Sequence, residues 1–216
     1  MDFNLTPEIE EVRQQIRTFV DQRLIPLESD AASYDDHENI NEPLLESLRA
    51  ETRKLGLWSL SMPTERGGRG FNTVGMAACY EEMNRSIFGP ACFNAAPPDD
   101  GNMFLLNRVA TDAQKEKWLQ PIIDGKVRSS IVMMRTTAVK KGDKWVVHGH
   151  KWYITGAGVA DHFLLLARTS DDPRRGLTCF LYHRDQPGWE ILRRIPIMGP
   201  EEHGGHCELK FDGLEI

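Results

Sequence analysis

Two places in this sequence gather residue types that could do chemistry. The first is the run Pro63-Thr64-Glu65-Arg66-Gly67-Gly68-Arg69-Gly70-Phe71-Asn72-Thr73, where Gly68 and Gly70 open a GxGxx pattern ahead of a helix. A dinucleotide loop needs a third glycine for close helix packing and an acidic residue about 20 positions on, closing a βαβ unit. Both are lacking, as is the GK[ST] ending of a phosphate loop, so the run predicts a tight turn between helices. The second is His203, His206 and Cys207, an HxxHC cluster of imidazole and thiol groups. Gly204 and Gly205 make its middle pliable, and no CxxC or HExxH elsewhere completes a four-ligand set. These read as loop histidines, with no metal expected. No GxSxG elbow supports a hydrolase triad.

The elements that would position such residues change character along the chain. Thr6 and Pro7 form a helix start, a hydroxyl cap followed by a ring already set at helical φ. Ile9, Val12, Ile16, Phe19, Val20 and Leu24 follow at helical spacing until Pro26. Further helices are predicted over Pro43–Leu55 with Gly56 as cap, Thr73–Ser86, Asp100–Arg108 and Thr111–Ile123. Their methionines and aromatics at helical spacing read as core. After Gly125 the pattern shortens. Trp145–Gly149 and Lys151–Thr155 read as two strands meeting near the glycine, followed by His162–Ala167, Leu177–Tyr182, Trp189–Leu192 and Cys207–Phe211. Short runs of this kind, divided by Gly, Pro and Asp, predict a small antiparallel barrel or sandwich. The fold class is thus α+β: an all-α domain over residues 1–126 and a β-domain over 127–216. Lys151 reads as a solvated strand residue.

Composition narrows the function classes. The chain has 216 residues with 26 Lys+Arg against 32 Asp+Glu, a net charge of −6, and its basic residues are scattered. That argues against nucleic acid as a partner. No run reaches the roughly 20 apolar residues of a membrane span. The first residues carry no targeting pattern, and Cys79, Cys92, Cys179 and Cys207 are far apart, which suits a reducing cytoplasm.

The order of motifs resembles the acyl-CoA dehydrogenase family along nearly the whole chain. Lys54-Leu55-Gly56-Leu57-Trp58 through Pro63 and Gly67-Gly68-Arg69-Gly70 is similar to that family's "LGL…P…GG.G" passage, and Ala78-Cys79-Tyr80-Glu81-Glu82 to its "A..EE" helix. Thr111–Lys115 with Trp118-Leu119 and Ile122–Gly125 resembles "GTEEQK..WL..I..G". Gly149-His150-Lys151-Trp152-Tyr153-Ile154-Thr155 resembles the "G.K.WITN" strand that lies along the flavin, and Phe211–Ile216 the "F..V.V" strand that ends the β-domain. Pro98-Asp99-Asp100-Gly101-Asn102-Met103 is similar to the "APD.GNM" of one branch.

This resemblance implies a flavoenzyme with FAD that oxidises the Cα–Cβ bond of an acyl-CoA and passes electrons to an electron-transferring flavoprotein. In the family a glutamate takes the α-proton while a hydride leaves Cβ for flavin N5, and hydrogen bonds to the thioester carbonyl hold the developing enolate. It further implies cofactor contacts from Met133, Tyr153, Ile154 and Thr155, substrate contacts from Asp100, Gly101 and Met103, a homodimer or homotetramer, and a place in fatty acid metabolism.

Three departures qualify it. On the order of 15 residues of a flavin-wrapping loop are missing between Met133 and Met134, a length that varies among loops. A C-terminal four-helix domain of about 150 residues, carrying the glutamate base, is expected beyond Ile216. Tyr153 stands where tryptophan is usual. The alternative function is a non-catalytic module of the same fold, and acyl-CoA oxidases and flavin monooxygenases share that fold.

Overall fold

The computed structural model describes residues 4–132, 136–172, 175–198 and 204–216. The chain divides into two compact units, Met1–Val109 and Ala110–Ile216.

The first unit is helical, and its helices begin where capping chemistry allows. Thr6 accepts from the Ile9 amide ahead of α1 (Pro7–Phe19), which runs on as a π-type turn over Val20–Leu24. The chain then tightens into a 3₁₀ turn containing Pro26, the stop expected of a ring that offers no N–H. Asn41 caps α2 (Glu42–Lys54) and Asn72 caps α3 (Thr73–Met83); α4 spans Asp99–Val109. The apolar stripe Val12, Ile16, Phe19, Val20 and Leu24 packs against Leu45 and Leu48 of α2 and Cys79 and Met83 of α3. Phe19 and Phe93 meet edge to face at 5.6 Å. The Glu82 carboxylate is buried, and Arg13, Arg17 and Arg85 lie 2.7, 3.5 and 3.5 Å from it.

The glycine run forms the expected turn. Amides of Gly67, Gly68, Arg69 and Gly70 donate to the carbonyls of Thr64, Pro63, Leu60 and Met62. None is left to cradle a phosphate, and a Cβ on Gly68 would sit 2.0 Å from the Met62 oxygen.

In the second unit a helical run comes first, from Asp112 through Ile123, opened by a reciprocal capping box between Thr111 and Gln114. Trp118 stacks edge-on against His162, with ring centroids 4.8 Å apart. Secondary structure therefore changes after Ile123, whereas the compact division falls at Val109. Seven strands follow: β1 Ser129–Val132, β2 Thr136–Lys141, β3 Lys144–Thr155, β4 His162–Arg168, β5 Leu177–His183, β6 Trp189–Arg194 and β7 His206–Glu215.

Three expectations are corrected here. The sheet is mixed rather than antiparallel throughout, because β1 and β2 both run parallel to β4, while β2–β3, β3–β7, β6–β7 and β4–β5 are antiparallel. It is also open: among the described residues, β5 and β6 pair with β4 and β7 and not with each other. The two strands expected on either side of Gly149 are one twelve-residue strand. Gly149, at φ 149, adopts a backbone open to glycine and pairs with both Thr136 and Phe211, so the ladder passes through it.

The inward face of the sheet is a single aromatic-rich core. Phe163 stacks on Tyr182 at 4.8 Å and meets Trp189 at 4.9 Å, with Leu209, Phe211 and Leu214 closing it.

Candidate functional site

β3 carries the residues of interest, and it does not alternate cleanly. Lys151 pairs with Leu209 and Ile154 with Cys207, so three steps on β3 face two on β7. This β-bulge inserts one residue and releases two neighbours from period two. Trp152 and Tyr153 are consequently both outward, at 50% and 56% exposure. Tyr153 holds φ 56, a left-handed conformation that a bulky side chain adopts only when its surroundings enforce it. Ile154 turns inward to the core, and Thr155 is half-buried.

The bulge is anchored from β7 and β6. Glu208, opposite the two aromatics, is almost fully buried and accepts from Arg193 at 2.5 Å and from His150 at 2.7 Å. Arg193, and then His150, hold its carboxyl below the ordinary carboxylate range. A second register shift on β6, between Ile191 and Arg193, brings the Arg193 guanidinium to 5.2 Å from the Trp152 ring. The outward surface is thus a shelf of two aromatic rings braced by a charge-paired arginine.

Thr155 forms the polar end of the shelf. Its hydroxyl is 2.9 Å from His206 Nδ1, and its carbonyl accepts from Ser130 Oγ at 2.8 Å. The turn after it docks on the glycines before β7: the Gly156 amide donates to Gly205 O and the Gly158 amide to Gly204 O. A Cβ on Gly158 would stand 2.4 Å from that Gly204 oxygen, so only glycine permits the approach. His206 is therefore a strand residue facing Thr155, not a loop histidine. His203 lies outside the described residues. Cys207 is buried, its thiol donating to Gly204 O, and among the described residues no cluster of three metal-ligating side chains is found.

Lys151 overturns its expected solvated place. It is 1% exposed, its ammonium donates to Leu166 O at 3.2 Å, and burial lowers its pKa to about 8. Thr136 donates to the same carbonyl, which places Lys151 under the junction of β3, β2 and β4.

Met133, the remaining cofactor residue expected, lies outside the described residues. Its flanks are informative. Val132 pairs with Leu165 and Thr137 with Arg168, so β1 and β2 follow the same edge of β4. Only residues 133–135 separate these strands in the sequence.

The expected substrate residues sit in the first unit and diverge. Asp100 accepts from the Tyr80 hydroxyl in a very short hydrogen bond and from Ser61 at 3.5 Å. Burial raises the pKa of Asp100 and, with the Asp100 contact, that of Tyr80. Gly101 is exposed, with open space where a Cβ would be. Met103 is wholly buried, its sulfur 3.6 Å from Asn94 Nδ2.

A helical unit followed by an open mixed sheet with an outward aromatic shelf defines a two-part α+β protein. The acyl-CoA dehydrogenase N-terminal domain model matches residues 6–126 and the middle domain model residues 124–214. The chain belongs to the acyl-CoA dehydrogenase family. It is 28% identical to the probable acyl-CoA dehydrogenase FadE2 of Mycobacterium tuberculosis, over all of this chain (100%) and 58% of that protein. That alignment runs over 242 positions, more than the 216 residues available, so FadE2 carries residues that this chain lacks. A solved acyl-CoA dehydrogenase-like protein from Mycobacterium abscessus is 31% identical with a TM-score of 0.87, over 99% of this chain and 59% of that one. A glutaryl-CoA dehydrogenase from Mycobacterium smegmatis, solved in complex with FADH2, shares the fold at 23% identity and a TM-score of 0.72, over 98% of this chain and 54% of that one. The chain therefore spans little more than half the length of these proteins. Among the described residues, no helix is long and apolar enough to cross a membrane.

Proposed function

We propose that this chain supplies the helical and flavin-facing parts of an FAD-dependent enzyme that oxidises the Cα–Cβ bond of an acyl-CoA thioester, with an electron-transferring flavoprotein as acceptor. The observation that carries the reading is the bulge at Trp152–Tyr153, which turns two neighbouring aromatic rings outward beside the Thr155 hydroxyl. A flat, amphipathic tricycle needs an apolar surface for its face and a few polar groups at its edge. Bound FAD would supply hydride acceptance, chemistry that no side chain provides.

The residues of the chain divide that work. Tyr153 and Trp152 cover the ring, the backbone at Ile154 and the Thr155 hydroxyl meet its polar edge, and Met133 begins the segment that borders it. Asp100 and Gly101, the accessible members of the expected substrate set, face the acyl-CoA side, with Met103 shaping that surface from within the core. The division into a helical domain and a flavin-contacting domain is placed at 126/127. The glutamate base belongs outside residues 1–216, and the family habits of a homodimer or homotetramer and a cytoplasmic place in fatty acid metabolism complete the proposal.

One observation favours the competing non-catalytic reading. β1 and β2 run in line with only three residues between them, where relatives of this family wrap a longer loop around the flavin. Flavin binding by this chain is therefore expected to be weak. Titration of the purified chain with FAD, followed by flavin fluorescence, is expected to show saturable binding without bleaching by acyl-CoA. A chain that leaves flavin fluorescence unchanged at any concentration would overturn the flavin reading of this shelf and favour the non-catalytic module, and acyl-CoA-dependent bleaching would show that a base lies within residues 1–216.

A further inference from the structure

His206 occupies a position that the flavin reading alone does not use. It is the direct ladder partner of Thr155 on β7, and its Nδ1 is 2.9 Å from the Thr155 hydroxyl oxygen. Its backbone is fixed by the preceding glycines: at Gly204, with φ +78, a Cβ would be 2.8 Å from Gly156 O, and at Gly205, with φ +58, it would be 2.6 Å from Arg194 Nε. Its ring lies 6.3 Å from the outward Tyr153 ring. The imidazole is thus held between the polar end of the shelf and its aromatic face.

A threonine hydroxyl has one hydrogen to give, and a neutral imidazole carries one N–H. If Nδ1 bears that hydrogen, it donates to Thr155, whose own hydrogen is free to point outward. If Nδ1 is bare, it takes the Thr155 hydrogen, and Thr155 presents only lone pairs outward. The oxidised isoalloxazine edge offers acceptors at N5 and O4, whereas the reduced ring offers an N5–H donor. To meet N5 in both redox states the threonine reverses its hydrogen-bond direction at that atom, and a second partner that can either donate or accept accommodates the reversal.

We infer that His206 is a positioning residue that sets the hydrogen-bond direction of Thr155 toward a bound isoalloxazine. The inference rests on the flavin reading of the shelf. It gives His206 a role without metal and without contact with the reacting atoms.

Three variants test it, with FAD affinity and the midpoint potential of the bound flavin as readouts. His206→Phe keeps the ring shape and removes the nitrogen; it is expected to weaken FAD by about tenfold, the loss of roughly one hydrogen bond of orientation, and to shift the potential. His206→Asn, whose amide falls where Nδ1 was, is expected to restore both. Thr155→Val, which removes the flavin-facing hydroxyl as well as the pair, should lose at least as much as His206→Phe, and the double variant no more than Thr155→Val alone, because His206 acts only through that hydroxyl. Additive losses, or a His206→Phe chain that binds FAD with unaltered affinity and potential, would overturn the inference. A cofactor-free readout guards against misfolding: the imidazole ¹⁵N shifts of His206 should move in Thr155→Val, and unchanged shifts would show that the pair does not form. If the unsubstituted chain binds no FAD, the functional reading falls and the inference with it. Normal binding with an indifferent His206 would remove the inference alone.

Discussion

The two places expected to meet small molecules lie in different units and are built on opposite terms. In the helical unit, Asp100 is engaged by Tyr80 and Ser61, and Met103 is sealed in the core, so most of that motif's chemistry is consumed in holding its own fold. In the β unit, the residues that hold the site and those that present it are separate. Lys151, Ile154, Cys207 and Leu209 face inward, while Trp152 and Tyr153 face outward across a bulge. A strand sends successive side chains to opposite faces, and one inserted residue can redirect a pair of them without disturbing the core. A helix turn has no such separation. Its neighbours three and four apart touch each other, and functional groups are readily drawn into packing.

The sharpest way to test this separation is to remove an inward residue. Phe163→Ala deletes a ring stacked on Tyr182 and edge-on to Trp189 and is expected to cost about 3–5 kcal/mol in denaturant unfolding. A loss below 1 kcal/mol would mean that the aromatic core does not carry the sheet.

Lys151 is the inward residue with a charge, and its effect has a direction in pH. Its folded pKa is about 8 against 10.5 in a solvated chain, so the unfolded state binds more protons between those values. The penalty for its buried charge is complete below about pH 8 and is relieved as pH rises toward 10.5, by about 3 kcal/mol over the window. Lys151→Met should be more stable than the parent at pH 7, with the difference shrinking to near zero by pH 10.5. A difference that stayed constant across this range would show that Lys151 is not buried as a cation.

The helical side is tested by Tyr80→Phe, which strips the Asp100 carboxylate of its short hydrogen bond. A loss of about 1–3 kcal/mol at pH 7 is expected from a partly buried acceptor left without its donor. Equal stability of this variant would free Asp100 for a ligand and weaken the contrast between the two units.

The smallest stability change belongs to the outward residue. Tyr153→Gly relieves a left-handed backbone and is expected to leave stability unchanged or raise it by about 1 kcal/mol. Retained flavin affinity in that variant would show that the ring does not face the cofactor. Stability and binding moving in opposite directions is the signature expected of a residue held in strain for function.

Much of this was legible in the sequence. Helix starts at Thr6 and Thr111 follow from capping chemistry that involves residues three apart, and the division into a helical and a strand-rich part follows from the change of period near Gly125. The glycine run was readable as a turn because its missing third glycine and lysine are local facts. What failed to show depends on partners far away in the chain. Lys151 looks like any strand lysine until β3 is known to pass beside the end of β2, and His206 looks like a loop histidine until Gly204 and Gly205 are seen to dock under the turn after Thr155. The parallel placement of β1 on β4 also leaves no trace in hydropathy, since a four-residue strand of two serines, an isoleucine and a valine suits either direction.

The sequence by itself therefore determined element type, chain order and family membership, because propensity, capping and motif order are written within a few residues of each other. Tertiary structure alone decided which face of β3 each residue occupies and which distant side chain meets Thr155. One inserted residue opposite β7 reverses that outcome, and it becomes visible only when the two strands are laid side by side.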